Sequence, residues 1–269
     1  MHVFQVGAGS GGIVVLDLVA RDPRVTRVTL VEPDTYKPHN VYRHLFSPAA
    51  VGRLKAELAA EWVRERRPDV VVDAIVADLT DPGRADDFRR SAEACDVGVC
   101  AVDNEPAKFA FDGLMRSANK PWTLGEVLSG GIGGWVHRFT PGGACYGCVA
   151  AHLRRTVTEE APAPAPDYSN PGGAVQETTV PASRASIAVI ASLHATLTLD
   201  VLGGTPPPDF SSLLFTLAAV PGVFDAAYRP YRFAIPKADA CLVCATRSAP
   251  TGEELDVAVD QALARLGDN

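Results

Sequence analysis

The first half of the chain alternates short apolar runs, rich in β-branched residues, with longer stretches in which apolar residues recur at helical spacing. The short runs predict strands, which lie at residues 2–6, 25–31, 70–76, 96–102 and 122–126. The longer stretches predict helices, which lie at residues 13–20, 49–66 and 106–119. Strands that alternate with helices indicate an α/β fold with a Rossmann-like, doubly wound and mostly parallel sheet.

The second half has a different pattern. Residues 130–148 alternate between apolar and polar positions, with glycines at the turns, as an antiparallel strand does. Residues 210–236 give further strand-like runs, with turns predicted at Pro221-Gly222 and at Pro230. We therefore expect the sheet to become mixed in its C-terminal part.

Two segments between these strands carry other signals. The apolar run at residues 187–202 is short for a membrane span and is interrupted by polar residues such as His194, so it predicts a buried amphipathic helix. Residues 160–181 are rich in Pro, Ala and Gly and predict an irregular crossover loop. No repeat or linker divides the chain, so we expect a single domain over residues 1–269.

Composition and charge narrow the class of partner. The chain has 269 residues, of which 47% are hydrophobic and 21% are charged, as in an ordinary globular domain. Its formal net charge of −7 and its lack of a basic cluster argue against nucleic acid as a partner. Neither an export signal nor a membrane span is predicted, so we expect a cytoplasmic protein that contacts no membrane.

A glycine-rich turn follows the first predicted strand and precedes the first predicted helix. Gly7, Gly9 and Gly12 satisfy the pattern G-x-G-x-x-G, in which glycines allow a tight turn and the helix N-terminus offers N–H groups to phosphate. Glu32 ends the second strand, where an acidic side chain can accept hydrogen bonds from ribose hydroxyls. These features predict a nucleotide site, but dehydrogenases, methyltransferases and adenylating enzymes all use them.

The segment after the second strand distinguishes among these classes. It carries acidic, amide and basic residues at fixed spacing, namely Glu32, Asp34, Asn40, Arg43, Gly52 and Lys55. Asp103-Asn104 follows the fourth strand. With the glycine turn, this pattern resembles the signature of the ubiquitin-activating (E1-like) ThiF/MoeB/HesA family. In that signature an acidic strand end leads to N-x-x-R-Q and then to G-x-x-K, and an Asp-Asn pair follows a later strand.

The resemblance implies that the protein adenylates a carboxylate with ATP and releases pyrophosphate. Arg43 and Lys55 would neutralise charge on the phosphates. Asp103 would hold or orient Mg²⁺, and Asn40 would contact the nucleotide or the incoming carboxylate. The residues expected to bind ATP are Gly7, Gly9, Gly12, Glu32, Asp34, Asn40, Arg43, Lys55 and Asp103.

The resemblance also implies a substrate and an organisation. The carboxylate would be the C-terminal glycine of a ubiquitin-like or sulfur-carrier protein that ends in Gly-Gly, and the enzyme would be a homodimer. Residues 1–128 would form the nucleotide-binding half, and residues 129–269 the half with the mixed sheet and the crossover loop. Glu32 replaces the family's Asp, and His44 replaces its Gln. Both replacements keep hydrogen-bonding capacity, so we expect altered detail and retained activity.

Other functions stay open at this stage. An NAD(P)-binding oxidoreductase would use the same glycine turn, but it would not explain Arg43 and Lys55. Within the adenylating class, the carboxylate could belong to a peptide, a small molecule or a modified tRNA base, the last disfavoured by the missing basic patch. A catalytically idle nucleotide-binding partner is a further alternative, against which the retained Arg43, Lys55 and Asp103 argue.

Four of the six cysteines form two C-x-x-C motifs, which consist of Cys145 and Cys148, and of Cys241 and Cys244. Two such pairs can complete a tetrahedral Cys₄ set for Zn²⁺, and the resemblance implies a structural zinc here. A redox C-x-x-C is the alternative, but it does not explain why there are two motifs, or why neither motif opens a helix after an N-terminal strand. Cys95 and Cys100 are expected in the core, with Cys100 as a fallback nucleophile.

Overall fold

A mixed sheet of eight strands runs through the part of the chain that the computed structural model describes, residues 1–153 and 181–245. The strands are β1 (His2–Val6), β2 (Arg27–Val31), β3 (Val71–Ile75), β4 (Val97–Cys100), β5 (Trp122–Val127), β6 (Gly133–Phe139), β7 (Ser212–Thr216) and β8 (Pro230–Phe233). Their order is β3-β2-β1-β4-β5-β6-β7-β8. The first five strands are parallel, and β6, β7 and β8 continue the sheet in antiparallel pairs. The predicted mostly parallel sheet that becomes mixed is confirmed.

Helices cover both faces of this sheet. They are α1 (Gly12–Ala20), α2 (Lys55–Arg66), α3 (Ala85–Ala94), α4 (Glu105–Ser117), α5 (Tyr146–His152) and α6 (Arg184–Leu202). The apolar sides of α1, α2 and α6 form one hydrophobic core against the parallel strands. Those of α3, α4 and α5 form a second core on the opposite face, built around large side chains such as Phe111 and Trp122. The result is a three-layer α/β/α arrangement.

The order of the strands reverses between β1 and β4. The chain runs from β1 outward to β3, and then crosses back to place β4 on the other side of β1. In parallel sheets, ligands bind at the carboxyl ends of the strands beside such a switch point. Backbone bonds hold the strand ends together there, from Gly7 N to Val31 O and from Ala101 N to Val6 O, both 2.9 Å long. The glycine turn and the segments after β2 and β4 therefore share one edge.

The second predicted helix begins later than its apolar pattern indicates. Residues Pro48–Ala50 form a 3-10 turn, and the α-helix starts only at Lys55. The interruption has a backbone cause, because Gly52 adopts a φ of +94°, which side chains other than glycine rarely tolerate. Lys55 thus occupies the first position of α2.

Three further sequence predictions are corrected by the structure. Helix α3 was not predicted, since only two of its residues, Phe88 and Ala92, are buried and most of the others are charged or polar. The strand expected to extend to residue 148 ends at Phe139, and the chain continues into α5. Pro230 begins β8 instead of forming a turn, which suits a residue without an N–H at the start of an edge strand.

Helix α6 is long and apolar enough, by length and composition, to cross a membrane. It packs on β5, β6 and α1, and Ile187, Ile190 and Ala195 are buried against them. His194 is also buried, and its Nε2 lies 3.0 Å from Thr123 Oγ1 on β5. This confirms the sequence prediction of a buried helix, and the interrupting His194 is hydrogen-bonded inside the core.

Protonation of His194 links stability to pH. Burial lowers the pKa of His194 from 6.5 to about 4. In the unfolded chain this histidine therefore becomes protonated near pH 6.5, whereas in the folded chain it becomes protonated only near pH 4. Because the unfolded state binds more protons between these values, the free energy of unfolding falls as the pH drops from about 6.5 to about 4. Between about pH 7 and about pH 5 this residue should account for a loss of about 2 kcal/mol in the free energy of unfolding.

Urea titrations at the two pH values test this on the wild type and His194→Gln. The variant should lose stability less steeply with acid by about that amount. His152→Gln, at an exposed histidine, is the control and should follow the wild type. Equal acid sensitivity of His194→Gln and the wild type would contradict the account.

Candidate functional site

The glycine turn packs directly on the backbone at the end of β4. A Cβ atom added to Gly7, where φ is +93°, would lie 2.4 Å from the carbonyl oxygen of Ala101. One added to Gly12 would lie 2.4 Å from the carbonyl oxygen of Gly7. A Cβ on Gly9, in contrast, would meet no atom within 4 Å. Two glycines thus allow the backbones to approach each other, while Gly9 leaves an open face at the N-terminus of α1, where an anion can approach.

Glu32 is buried behind this turn. Its Oε2 accepts a hydrogen bond from Ala8 N at 2.6 Å, and its Oε1 accepts one from Asp34 N at 2.9 Å. Lys55 Nζ lies 4.0 Å from Glu32 and donates to Asp34 Oδ2 at 2.8 Å. Burial raises the pKa of Glu32, and the charge of Lys55 opposes that rise. The side chain of Asp34 is 55% exposed, so Asp34 is the acid of this group that presents a carboxylate to solvent. A ribose contact by Glu32 itself stays a prediction.

A short turn carries the amide and the arginine of the motif. Asn40 is buried, and its Oδ1 accepts a hydrogen bond from Lys37 N at 2.9 Å, which closes the turn. Arg43 is half-buried, and its carbonyl oxygen accepts a hydrogen bond from Arg184 at 3.1 Å, so the start of α6 is joined to this turn. Burial, together with the positive charges of residues such as Arg43, lowers the pKa of His39 on the same turn.

Asp103 lies at the end of the segment that follows β4, and its side chain is exposed. Its neighbour Asn104 is the N-cap of α4, because Asn104 Oδ1 accepts a hydrogen bond from Ala107 N at 2.9 Å. The N-cap of α4 is thus Asn104 and not Asp103. Within the described residues, Asp103 is not joined to the other site residues by a hydrogen bond or ion pair, and its carboxylate faces solvent.

A buried polar cluster that no sequence motif predicts lies beside this edge. Lys108, which is 4% exposed, lies 2.7 Å from Glu105 Oε1 and 2.5 Å from Glu126 Oε1. Tyr146 donates from its hydroxyl to Glu105 Oε2 at 2.7 Å. Burial lowers the pKa of Lys108, but the two glutamates more than offset that effect, and its pKa is raised. The spacing of charged residues along α4 at positions 105, 108, 112 and 116 was the available signal.

The four predicted ligand cysteines meet in one cluster. Their Sγ atoms all lie within 4.8 Å of one another. Three of the sulfur pairs are 3.5, 3.6 and 3.8 Å apart, formed by Cys148–Cys244, Cys145–Cys241 and Cys145–Cys148. Four sulfurs at the usual Zn–S distance from one tetrahedral ion are about 3.8 Å apart. The donor set and its spacing thus fit Zn²⁺, which would join the start of α5 to the segment after β8.

Side chains from α4 hold both halves of this cluster. Asp112 is fully buried, and its Oδ1 accepts a hydrogen bond from Tyr146 N at 3.0 Å, inside the first motif. One turn later, Arg116 donates to the carbonyl oxygen of Val243 at 3.2 Å, inside the second motif. A Cβ on Gly147 would lie 2.6 Å from Val243 Cγ2, so the absence of a side chain lets the motifs approach. Such outer contacts orient metal ligands.

Cys145 is the N-cap of α5, but this helix follows β6 and not an N-terminal strand, so the argument from sequence against a redox pair is kept. The convergence of four sulfurs also favours metal binding. The prediction that Cys95 and Cys100 lie in the core is confirmed, and burial raises the pKa of each thiol to about 12. Such a thiol is not ionised at neutral pH, so Cys100 is not a nucleophile there. The predicted crossover loop lies, apart from Pro181, outside the described residues.

The metal site can be tested directly. Protein purified without chelator should contain about one zinc per chain, and Cys241→Ser should lose most of it and unfold at lower temperature. Cys95→Ala removes a buried thiol elsewhere and should keep its zinc. Elemental analysis and thermal unfolding supply the readouts. A zinc content far below one per chain in the wild type would contradict the assignment.

This chain is similar in sequence to known proteins. The model of the ThiF family matches residues 1–255. The ubiquitin-like modifier-activating enzyme 5 of Bombyx mori is 25% identical over 169 residues, which are 59% of this chain and 42% of that protein. The Arabidopsis thaliana enzyme of the same name is 26% identical over 157 residues, 54% of this chain and 36% of that protein. The chain thus spans less than half the length of these relatives.

Solved structures show the same fold. E. coli MccB with ATP aligns with a TM-score of 0.64 and 17% identity, over 90% of this chain and 66% of MccB. E. coli MccB with succinimide aligns with a TM-score of 0.65 and 18% identity, again over 90% and 66%. The family match over nearly the whole chain, together with the motifs and the four-cysteine cluster, identifies the protein as a member of the ThiF family of E1-like adenylyltransferases.

Proposed function

We propose that this protein uses ATP to adenylate a carboxylate and releases pyrophosphate. The observation that carries the proposal is the open face of the glycine turn at Gly9, which shares the switch-point edge with the Lys55–Asp34 pair and with Asp103. Both reactants are anions, so a site for this reaction needs cations and N–H donors that face the phosphates, and little acid–base chemistry. Family membership and the MccB–ATP likeness in fold support the same reaction.

The charge and exposure of the site residues suggest a separate role in binding ATP for each of them. The N–H groups from Gly9 onward and the N-terminus of α1 would face the phosphates, while Asp34 would accept hydrogen bonds from the ribose. Arg43 and Lys55 would take up charge that moves onto the leaving pyrophosphate. The oxygen of Asn40 already accepts the N–H of Lys37, so its amide NH₂ is the group that can donate to a phosphate or carboxylate oxygen.

Mg²⁺ and Zn²⁺ have separate places in this proposal. Asp103 is an exposed carboxylate at the edge where the phosphates would lie, which suits an oxygen ligand or orienting group for Mg²⁺. Mg²⁺ bound with ATP would reduce the repulsion between the phosphates and the attacking carboxylate. The four cysteines leave no open coordination position, so Zn²⁺ would stabilise the fold without entering the reaction.

The carboxylate in this proposal is the C-terminal glycine of a ubiquitin-like or sulfur-carrier protein. Relatives named ubiquitin-like modifier-activating enzymes support it. A homodimer, which the family resemblance suggests, and the cytoplasmic location predicted from the sequence are parts of the same proposal. A peptide carboxylate is the second candidate, because the structures similar in fold include MccB with AMPCPP and MccA. An oxidoreductase would not use the Arg43, Lys55 and Asp103 set.

Pyrophosphate exchange into ATP tests the proposal and its residues. Exchange should require Mg²⁺ and a carrier ending in Gly-Gly, and it should fall about 100-fold in Arg43→Ala and Asp103→Ala, as expected when a group that stabilises transition-state charge is removed. Arg21→Ala, which breaks an exposed ion pair with Asp17, is the control and should keep full exchange.

The outcomes separate the candidates. Exchange driven by short peptides and not by carriers would replace the carrier with a peptide. ATP binding without exchange for any carboxylate would indicate an idle partner. An Arg43→Ala variant as active as the wild type would contradict the role given to the arginine.

A further inference from the structure

The peptide groups of Ala8, inside the glycine turn, are held by two side chains from different elements. Glu32 Oε2 accepts a hydrogen bond from Ala8 N at 2.6 Å, and His44 Nε2 lies 2.9 Å from Ala8 O. We propose that Glu32 and His44 are positioning residues that clamp Ala8 and so fix the glycine turn in the form that binds the phosphates of ATP. This inference rests on the proposed function, and it concerns two side chains that act on the backbone and not on the reacting atoms.

The contact with His44 has one possible direction. A carbonyl oxygen only accepts hydrogen bonds, so Nε2 of His44 carries the proton and donates it to Ala8. The ring is 6% exposed and lies between aromatic neighbours, with centroids 5.2 Å from Tyr36 and 4.4 Å from Phe46. Its Nδ1 has no hydrogen-bond partner among the described residues. The ring is therefore held by packing, with its single N–H aimed at the turn.

The charge state of His44 suits this task. The pKa of His44 is lowered to about 4, chiefly by burial. The positive charges of Lys55, Arg184 and Arg43 lower this pKa further. The ring is neutral at pH 7 and keeps one N–H. It therefore positions the turn without adding a positive charge beside the cations that would face the phosphates.

Glu32 joins the clamp to the rest of the site. Its second oxygen accepts the N–H of Asp34, and Lys55 lies 4.0 Å away and also binds Asp34. One carboxylate thus ties the turn after β1 to the acid and the lysine expected to bind ATP. Because both polar groups of Ala8 are already bonded within the protein, the N–H donors left for a ligand begin at Gly9, on the open face.

A clamp matters energetically because the backbone of the glycine turn would otherwise have high conformational entropy. Glycine loses more backbone entropy on ordering than any other residue, and this turn has four glycines in six positions. A turn that is ordered before ATP arrives does not lose that entropy on binding, so affinity rises without any further contact to the ligand. Releasing Ala8 on either side should therefore weaken ATP binding.

Two amide variants of His44 separate the hydrogen bond from the bulk of the ring. The amide nitrogen of Gln can reach the position of Nε2, whereas that of Asn lies near Nδ1. Calorimetric titration with ATP should therefore find His44→Gln within a few-fold of the wild type, and His44→Asn and Glu32→Gln weaker by about tenfold. His152→Asn, at an exposed site, is the control. Thermal unfolding identifies variants that fail to fold.

Amide hydrogen exchange without nucleotide gives a readout that does not need ATP. Exchange at Ala8, whose N–H is bonded to Glu32, should rise in His44→Asn and Glu32→Gln, and stay slow in His44→Gln. Folded His44→Asn and Glu32→Gln with wild-type exchange and wild-type ATP affinity would overturn the clamp. A wild type that binds no ATP would contradict the proposed function instead, and the exchange rates would still decide whether these side chains hold the turn.

Discussion

The buried carboxylate of Glu32 is the group on which the nucleotide edge depends. This name denotes the edge of the sheet at the carboxyl ends of β1, β2 and β4, where we propose that ATP binds. An ionised carboxylate away from water costs several kcal/mol unless hydrogen bonds and an opposite charge compensate it. Glu32 has two backbone N–H groups and, at 4.0 Å, the ammonium of Lys55. These compensating groups are the glycine turn, the backbone of Asp34 and the first residue of α2. The requirement to satisfy one charge therefore sets three parts of the site relative to each other.

Helix α4 has a comparable role on the other face of the sheet. It begins at the exposed edge beside Asp103, and its charged residues then point in turn to Glu126, to the first cysteine motif and to the second. Tyr146 takes part at both ends, because its hydroxyl donates to Glu105 and its N–H donates to Asp112. The four-cysteine cluster and the nucleotide edge are thus connected through one helix.

Much of this could be predicted from the sequence, because periodicity and glycine motifs report on backbone structure. The strands, the mixed sheet, the nucleotide edge and the four cysteines follow from local patterns. Helix α3 was missed because two buried residues are too few for a periodic signal. The late start of α2 depends on the positive φ of Gly52, and the helical spacing of apolar residues gives no sign of that backbone conformation.

The burial of individual side chains is the other feature that the sequence does not predict. The sequence predicts that Glu32 and Asp34 both bind ATP, and only the fold shows that Glu32 is enclosed and that Asp34 is open to solvent. Similarly, the replacement of Gln by His at position 44 has a physical explanation once the ring is seen to donate to Ala8, since both side chains can place an N–H there. No local pattern predicts that contact.

The central claim is that a carboxylate oxygen attacks the α-phosphate of ATP. It can be tested most directly with a carrier whose C-terminal carboxylate holds a heavy-oxygen label, followed by cleavage of the product with an amine. Attack at the α-phosphate predicts pyrophosphate as the leaving group and labelled oxygen in the released AMP. Formation of ADP and phosphate, or AMP free of the label, would contradict the account.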